Sequence, residues 1–356
     1  MFSLKIRLSP TKAQKSSIKK QLELHRLLYN SLLEKRVKLY KEEKKSISAF
    51  DLIKQELPAH KNDGCNYSSM QQTVRRLDKA YQFFFKKHNS FPRFKKSFRS
   101  IEFGKYGDGW KLKDKGLYIQ HVGIIKLRAH QEIKEQKHLT LLFDGLDFWA
   151  IIACNFVKDE KPCPENMVGI DMGMITFATL SNGKKIDHPL PYLKKLKKLQ
   201  KEQSRFSRTD KKARKEKLHK RLKKIYKKIN NQRADFAHKT SRAIVNNYSH
   251  IFVEDLNIKA MDGFSNFNRK KADLAWGIFL QMLQYKAESA GRVFVKVNPA
   301  YTSQTCIKCG NIKKLELDDR EYICPVCGHI EDRDIMAAKN ILAVGLYSLD
   351  AAKAAS

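Results

Sequence analysis

The sequence predicts an α+β multidomain chain: a helical block set into a small β-barrel, then a sheet-containing unit interrupted by a four-cysteine hairpin. Three observations lead there. A strand-like run over residues 3–8 stands alone ahead of helical periodicity reaching residue 88, and short alternating strands resume only near residue 99. Two later strand-like runs each end in a carboxylate, Val168-Gly-Ile-Asp171 and Ile251-Phe-Val-Glu254. The knuckles Cys306-Ile-Lys-Cys309 and Cys324-Pro-Val-Cys327 run at once into Asp332-Arg-Asp334 and a last apolar helix.

The first strand alternates apolar and basic residues and closes at Ser9-Pro10. Thr11 caps a helix through Gln14, Ile18, Leu22, Leu24, Leu27 and Leu28, and the period continues through Leu32, Leu33, Val37 and Leu39. Further clusters at residues 52–57 and at Met70, Val74, Leu77 and Tyr81 make residues 11–88 a helical bundle. Turns at 107–109 and 114–116 then separate strands over 117–119, 124–127, 139–143 and 148–156. With the N-terminal strand added these form the barrel, so the helices are its insert, and residues 158–164 read as the linker out.

From Met167 the order is a strand bearing Asp171, a return over 175–180, the hairpin signal Ser181-Asn182-Gly183, and a third strand near Ile186. Leu193, Leu196 and Leu199 mark one basic helix, and Leu218, Leu222, Ile225 and Ile229 a second, with a break over 204–210. A strand over 250–253, a helix over 273–290, a strand over 293–297, the cysteine hairpin and a helix over 334–346 complete the chain.

At 356 residues there is room for two or three domains. Hydrophobic content of 42% with 30% charged residues excludes a disordered chain. Lys+Arg 71 against Asp+Glu 37 gives +34, which calls for a polyanionic partner, nucleic acid above all. No segment reaches the ~18 uninterrupted apolar residues of a membrane helix, and the opening Met-Phe-Ser-Leu-Lys lacks the apolar core of a signal peptide. The expectation is a cytoplasmic, nucleoid-associated protein with no membrane partner, in a compartment where disulfides are rare. Of seven cysteines, Cys65, Cys154 and Cys163 are then packing or exposed residues.

The other four, Cys306, Cys309, Cys324 and Cys327, have the spacing of a tetrahedral Zn²⁺ site, with Gly310 and Gly328 permitting the knuckle turns. Four thiolates leave no open position, so one structural Zn²⁺ is expected, and His329 lies outside a complete shell. Asp171, Glu254 and Asp334 carry the reactive chemistry. Phosphodiester hydrolysis uses two Mg²⁺ roughly 4 Å apart, held by a few carboxylates with water and substrate oxygens. Acids on the first strand, at the end of the fourth and at a later helix start converge on such a pair in a ribonuclease-H-like sheet. Singly, each acid reads equally well as a turn or cap residue. The Lys-rich helices are either a solvated face or a phosphate track, and the aromatics at Tyr81, Phe83 to Phe85, Phe91, Phe94 and Phe98 either core or base-stacking groups.

At these residues the chain resembles the TnpB family of transposon-encoded RNA-guided DNA nucleases, related to type V CRISPR effectors. The resemblance rests on Leu77-Asp-Lys-Ala-Tyr-Gln-Phe-Phe84, Phe91-Pro-Arg-Phe-Lys95, Gly169-Ile-Asp-Met-Gly173, Val253-Glu-Asp-Leu256, Tyr301-Thr-Ser-Gln-Thr-Cys-Ile-Lys-Cys-Gly310 and Cys324-Pro-Val-Cys-Gly328 through Asp332-Arg-Asp-Ile-Met-Ala-Ala338. It implies a wedge-like β-barrel (1–10 and 90–164), a helical recognition insert (11–89), a RuvC nuclease domain (165–303 and 331–356) and a zinc-ribbon insert gripping target nucleic acid (304–330). It also implies a guide RNA from the transposon end, double-stranded target DNA, a short flanking motif, and a protein monomeric with its RNA. The RuvC acids map to Asp171, Glu254 and Asp334, with Asp334 preferred over Asp332 because the family's acid lies just before the Ala-Ala pair, and Asp255 as a neighbour. Metal-dependent cutting would leave 3′-hydroxyl and 5′-phosphate ends. Arg75, Arg76, Arg93, Lys95, Lys197, Lys198, Arg221 and Lys224 are the candidate nucleic-acid contacts.

One position departs from the family: Met336 stands where an Asn is usual. Loss of an amide beside the site is expected to weaken a hydrogen bond to substrate or acid while removing no metal ligand. The alternatives are a guided repressor that does not cut and an unguided RuvC-like resolvase.

Overall fold

Strand β1 (Phe2–Ser9) buries Ile6 and Leu8 and exposes Lys5 and Arg7, the alternation its sequence dictates. The computed structural model describes residues 2–61, 63–114, 116–129, 133, 135–155, 162–256, 274–316 and 319–354. They fall into two units, Met1–Phe156 and Val157–Ser356.

In the first unit, β1 is the middle strand of an antiparallel seven-stranded sheet. The other strands are β2 (Ser100–Phe103), β3 (Trp110–Lys113), β4 (Gly116–Ile119), β5 (Gly123–Leu127), β6 (Gln136–Phe143) and β7 (Phe148–Cys154). The order β2-β6-β7-β1-β5-β4-β3 gives a nearly closed, barrel-like sheet around Leu8, Phe103, Trp110, Ile119, Leu141 and Ile152. Between β1 and β2 run α1 (Lys12–Glu43), α2 (Ala49–Gln55) and α3 (Tyr67–Phe85). Thr11 and Gln14 form a capping box that starts α1. The helices share a core of Tyr29, Leu32, Leu33, Leu52, Val74 and Leu77. His25 of α1 is buried between Thr73 Oγ1 (2.8 Å) and Ser69 Oγ (3.2 Å) of α3, and burial, aided by the Arg76 charge, lowers its pKa to about 4.

The second unit holds a five-stranded sheet, order β10-β9-β8-β11-β12. Its strands are β8 (Met167–Asp171), β9 (Ala178–Leu180), β10 (Lys185–Ile186), β11 (His250–Glu254) and β12 (Val293–Val297). The first three are antiparallel, and Gly183 (φ 86°) makes the turn between β9 and β10. The chain then passes through α4 (Pro191–Ser207) and α5 (Lys212–Asn247) to β11, parallel to β8. Helix α6 (Trp276–Ser289) leads to β12, parallel to β11. Buried Lys286 of α6 donates to His238 O (2.7 Å) and Ser241 Oγ (2.8 Å) of α5, fastening the two helices. The cysteine hairpin, with β13 (Glu321–Ile323) and β14 (Ile330–Asp332), precedes α7 (Arg333–Ala354).

Helix α7 lies on β8 and β11 at unusually short range. A Cβ at Gly169 would stand 2.1 Å from Ala338 O, and one at Gly345 would stand 2.1 Å from the Phe252 ring. Glycine at both places lets helix and sheet touch. Phe252, Val297 and Ile341 make the core between them, with Leu346 and Leu349 packed against it. Those last leucines carry α7 to Ala354, beyond the expected end at 346.

The expected return strand over 175–180 shortens to β9, because residues 172–177 bend to bury Met172 and Phe177 in the core. The expected break at 204–210 falls between Ser207 and Lys212. Residues 158–161 of the linker, Phe156 of the expected strand and Asp273 of the expected helix lie outside the described residues. No helix among the described residues is long and apolar enough to cross a membrane.

Gly169→Ala is expected to destabilise the second unit by about 1–3 kcal/mol, the usual penalty for overpacking a rigid backbone. Gly277→Ala in α6, where a Cβ meets nothing within 4 Å, is the control and should be neutral or stabilising. Thermal midpoints of the two variants check this.

Candidate functional site

Ile170 of β8 pairs with Val253 of β11 in a parallel register, so Asp171 and Glu254 follow side by side at the carboxyl edge of the sheet. That edge is where open sheets with parallel strands hold their ligands. Asp334 arrives from the first turn of α7. Glu254 and Asp334 both lie close enough to act on Asp171. Burial first, then the charges of Glu254 and Asp334, push the Asp171 carboxyl up to about 8, against the pull of Arg333 and the Met172 amide. Glu254 is 8% exposed, and burial raises its pKa while a bond from Thr302 opposes the rise.

Asp332 has a different place. Its Oδ1 accepts from the backbone amides of Asp334 (3.0 Å) and Ile335 (3.1 Å), which makes it the N-cap of α7. Its Oδ2 accepts from Lys185 Nζ at 2.7 Å. Burial opposes its ionisation, but the Lys185 bond and the helix amides outweigh burial and hold its pKa below the ordinary value. Asp255 is exposed and paired with Lys296 at 3.3 Å.

The thiols of Cys306, Cys309, Cys324 and Cys327 lie within 4.8 Å of one another. Cys306 Sγ stands 3.6 Å from Cys327 Sγ, and Cys309 Sγ 3.5 Å from Cys324 Sγ. A tetrahedron with Zn–S of ~2.3 Å requires edges of ~3.8 Å, so the cluster is close to that size. Gly310 (φ 73°) and Gly328 (φ 67°) turn the knuckles, donating to the carbonyls of Cys306 and Cys324. His329 bonds Glu331 and is not in the cluster. Cys65 and Cys154 are buried and Cys163 is exposed.

Met336 is fully buried with Cys306, Tyr322 and Cys324. Its thioether packs against the cysteine hairpin and offers no amide to the acids. Polar support for the acids comes from two residues the sequence reading missed. Thr302 Oγ1 donates to Glu254 Oε1 at 2.5 Å, and Asn340 Nδ2 donates to the carbonyls of Thr302 (2.8 Å) and Thr305 (2.7 Å). The available signal was a Thr four residues before the first knuckle and an amide six residues after Asp334.

The expected nucleic-acid contacts divide between the units. In the first, exposed Arg75 lines a cleft of about 470 Å³ with Ser68, Gln71, Gln72 and His138. Arg76 stacks on Phe98 (5.0 Å) and bonds Ser100, and Lys95 covers the Tyr29 ring at 5.6 Å, so both also serve packing. Arg93 is exposed. Tyr81 and Phe84 pack edge-on against Phe91, while Phe83, Phe85, Phe91 and Phe94 are exposed. In the second unit Lys197, Lys198 and Lys224 are exposed, and Arg221 lines a basic cleft of about 580 Å³ with Arg205, Arg214 and Lys217.

Comparison with known proteins places these features. Residues 151–264 match the family described as "Probable transposase", residues 276–341 that described as "Cas12f1-like, TNB domain", and residues 1–45 a "Helix-turn-helix domain", here β1 and α1. The chain is 30% identical over 359 residues to a Streptomyces pristinaespiralis protein provisionally named RNA-guided DNA endonuclease, covering 97% of this chain and 89% of that protein. It is 27% identical to a protein of Escherichia coli strain K12 provisionally named RNA-guided DNA endonuclease InsQ, covering 78% of this chain and 74% of the relative. Over 121 residues it is 36% identical to the CRISPR-associated endodeoxyribonuclease Cas12f1 of Sulfoacidibacillus thermotolerans, 32% of this chain and 28% of that protein.

Because the Asp171 carboxyl is pushed up in the folded state, its contribution to stability is complete below the unfolded pKa near 4 and is lost as pH rises through about 8. In chelator the wild type should therefore lose thermal stability across that window. Asp171→Asn should flatten the profile and exceed the wild type at pH 8.5 by about 5 °C. Melting curves against pH read both.

Proposed function

The chain belongs to the TnpB family and is related to Cas12f1, and from that membership we propose how its residues serve RNA-guided cleavage of DNA. It is a transposon-encoded RNA-guided DNA endonuclease whose partners are guide RNA and double-stranded target DNA. Guide pairing sets the sequence, while the protein holds backbones and reads a short flanking motif. The +34 charge supplies the backbone attraction.

The observation that carries the site assignment is the register that sets Asp171 and Glu254 side by side at the sheet's carboxyl edge, with burial and the charges of Glu254 and Asp334 raising the pKa of Asp171. A group of carboxylates is suited to hard divalent cations, which favour oxygen donors. These three residues would hold two Mg²⁺. When bound, the ions supply an activated water and charge stabilisation at the leaving oxygen. Asp171 lies between the other two acids in charge terms and is the residue assigned to both ions. Asp332 orients Asp334 by capping α7, and Lys185 fixes Asp332.

The sheet supports a ribonuclease-H-like RuvC domain over 165–303 and 331–356: three antiparallel strands, then two added in parallel through helices. The cysteine hairpin at 304–330 reads as a zinc ribbon that grips target nucleic acid, its sulfur spacing near that of a Zn²⁺ tetrahedron. The barrel at 1–10 and 90–164 is assigned as wedge and the helices of 11–89 as recognition insert. Met336 is the one feature favouring a repressor that does not cut, and the retention of Asp171, Glu254 and Asp334 argues against that reading.

With guide RNA and matched double-stranded DNA, Asp171→Ala is expected to lose all detectable cutting while RNA and target binding, read by gel shift, stay within about 3-fold. Retained cutting refutes the assignment. Cys324→Ser should lose the zinc that elemental analysis finds in the wild type.

A further inference from the structure

Glu254 ends a buried strand and would carry its charge at 8% exposure. The group that meets it is the Thr302 hydroxyl, itself 4% exposed and 2.5 Å from Oε1. A hydroxyl has one proton to give. Its other acceptor here, Pro299 O, stands farther off at 3.1 Å, so the carboxylate takes the bond. That bond fixes one oxygen of Glu254.

Thr302 belongs to a loop, and a loop residue orients a carboxylate only if it is held itself. Asn340, 6% exposed, does the holding: both protons of its amide are used, on the carbonyls of Thr302 and Thr305. Asn340 sits on α7, the helix whose first turn carries Asp334. Thr305 in turn bridges Ile312, and the Cys306 amide donates to Asn311 O, so the clamp closes at the root of the first knuckle. One helix thus places its own acid directly and a second acid through an amide, a loop and a hydroxyl.

We propose that Thr302 is a positioning residue for Glu254, and that Asn340 positions Thr302. The chemistry Thr302 serves is divalent-cation binding by the carboxylate site, so the inference rests on the function proposed above. Thr302→Val keeps the shape and removes the hydroxyl, Thr302→Ser keeps the hydroxyl, and Asn340→Leu keeps the bulk and removes the clamp.

The experiment uses the full chain with its guide RNA and reads two quantities. One is the single-turnover rate on matched DNA. The other is Mn²⁺ affinity by electron paramagnetic resonance, which requires no cutting. Losing such an outer partner of a metal ligand typically costs on the order of 10–100-fold in metal affinity or activity. Thr302→Val is expected to show a fall of that size in both readouts, at unchanged zinc content and target binding. Thr302→Ser should return both to within about 3-fold of wild type, and Asn340→Leu should lose both with Thr302 intact. Wild-type behaviour of Thr302→Val overturns the proposal. So does an equal loss in Thr302→Ser, which would make the residue a packing group. If the wild type fails to cut, the function proposed above falls, and the Mn²⁺ series still decides the role of Thr302.

Discussion

The close seat of α7 on β8 governs the second unit. Backbone meets backbone at Gly169, where a Cβ would stand 2.1 Å from Ala338 O and 2.6 Å from Leu342 N. At that range the helix cannot slide or roll without collision, so the direction of every side chain on its lower face is set. Asp334, Met336 and Asn340 share that helix and face three tasks: the acid site, the floor of the cysteine hairpin, and the loop that bears Thr302. A looser seat would let all three drift together. A glycine two residues before Asp171 is therefore as much part of the site as the carboxylates.

Such rigidity is required because the acids oppose their own assembly. Burial and like charge raise the pKa of Asp171, and burial raises that of Glu254. A mobile cluster would relieve the strain by turning its carboxylates toward water. Here the cap from Asp332 holds the helix start that bears Asp334, the Thr302 bond holds Glu254, and the glycine seat holds the helix on the sheet. On the assignment proposed above, the carboxylates would form a preorganised site for the cations that accompany phosphates, within a strongly cationic chain.

Strand and helix periods made most elements legible, because each buries one face against a single core. Residues 117–119 and 293–297 read as strands for that reason, and Thr11 announces the start of α1 by its own capping chemistry. The paired knuckles and the strand-end acids were legible because metal chemistry limits both residue type and spacing. What escaped depended on tertiary packing. Residues 172–177 carry a strand-like pattern yet bend, since Met172 and Phe177 are drawn into a core that no local period encodes. Thr302 and Asn340 lie 38 positions apart, and neither has meaning until the fold brings hydroxyl to carboxylate and amide to carbonyl.

Met336 joins these threads. A family position that usually carries an amide here carries a thioether, sealed from water among Cys306, Tyr322 and Cys324. An amide in so apolar a pocket would need partners for two donors and an acceptor, whereas a thioether fills the space without that demand. Asn340 lies four residues along, one helical turn farther on the same helix, and bonds the carbonyls of Thr302 and Thr305. The residue at 336 packs with the hairpin and takes no part in the line from Asn340 through Thr302 to Glu254. Reading that substitution by its distance in sequence from Asp334 points toward catalysis. Its packing places it with the cysteine hairpin, whose attachment to α7 it helps to fix.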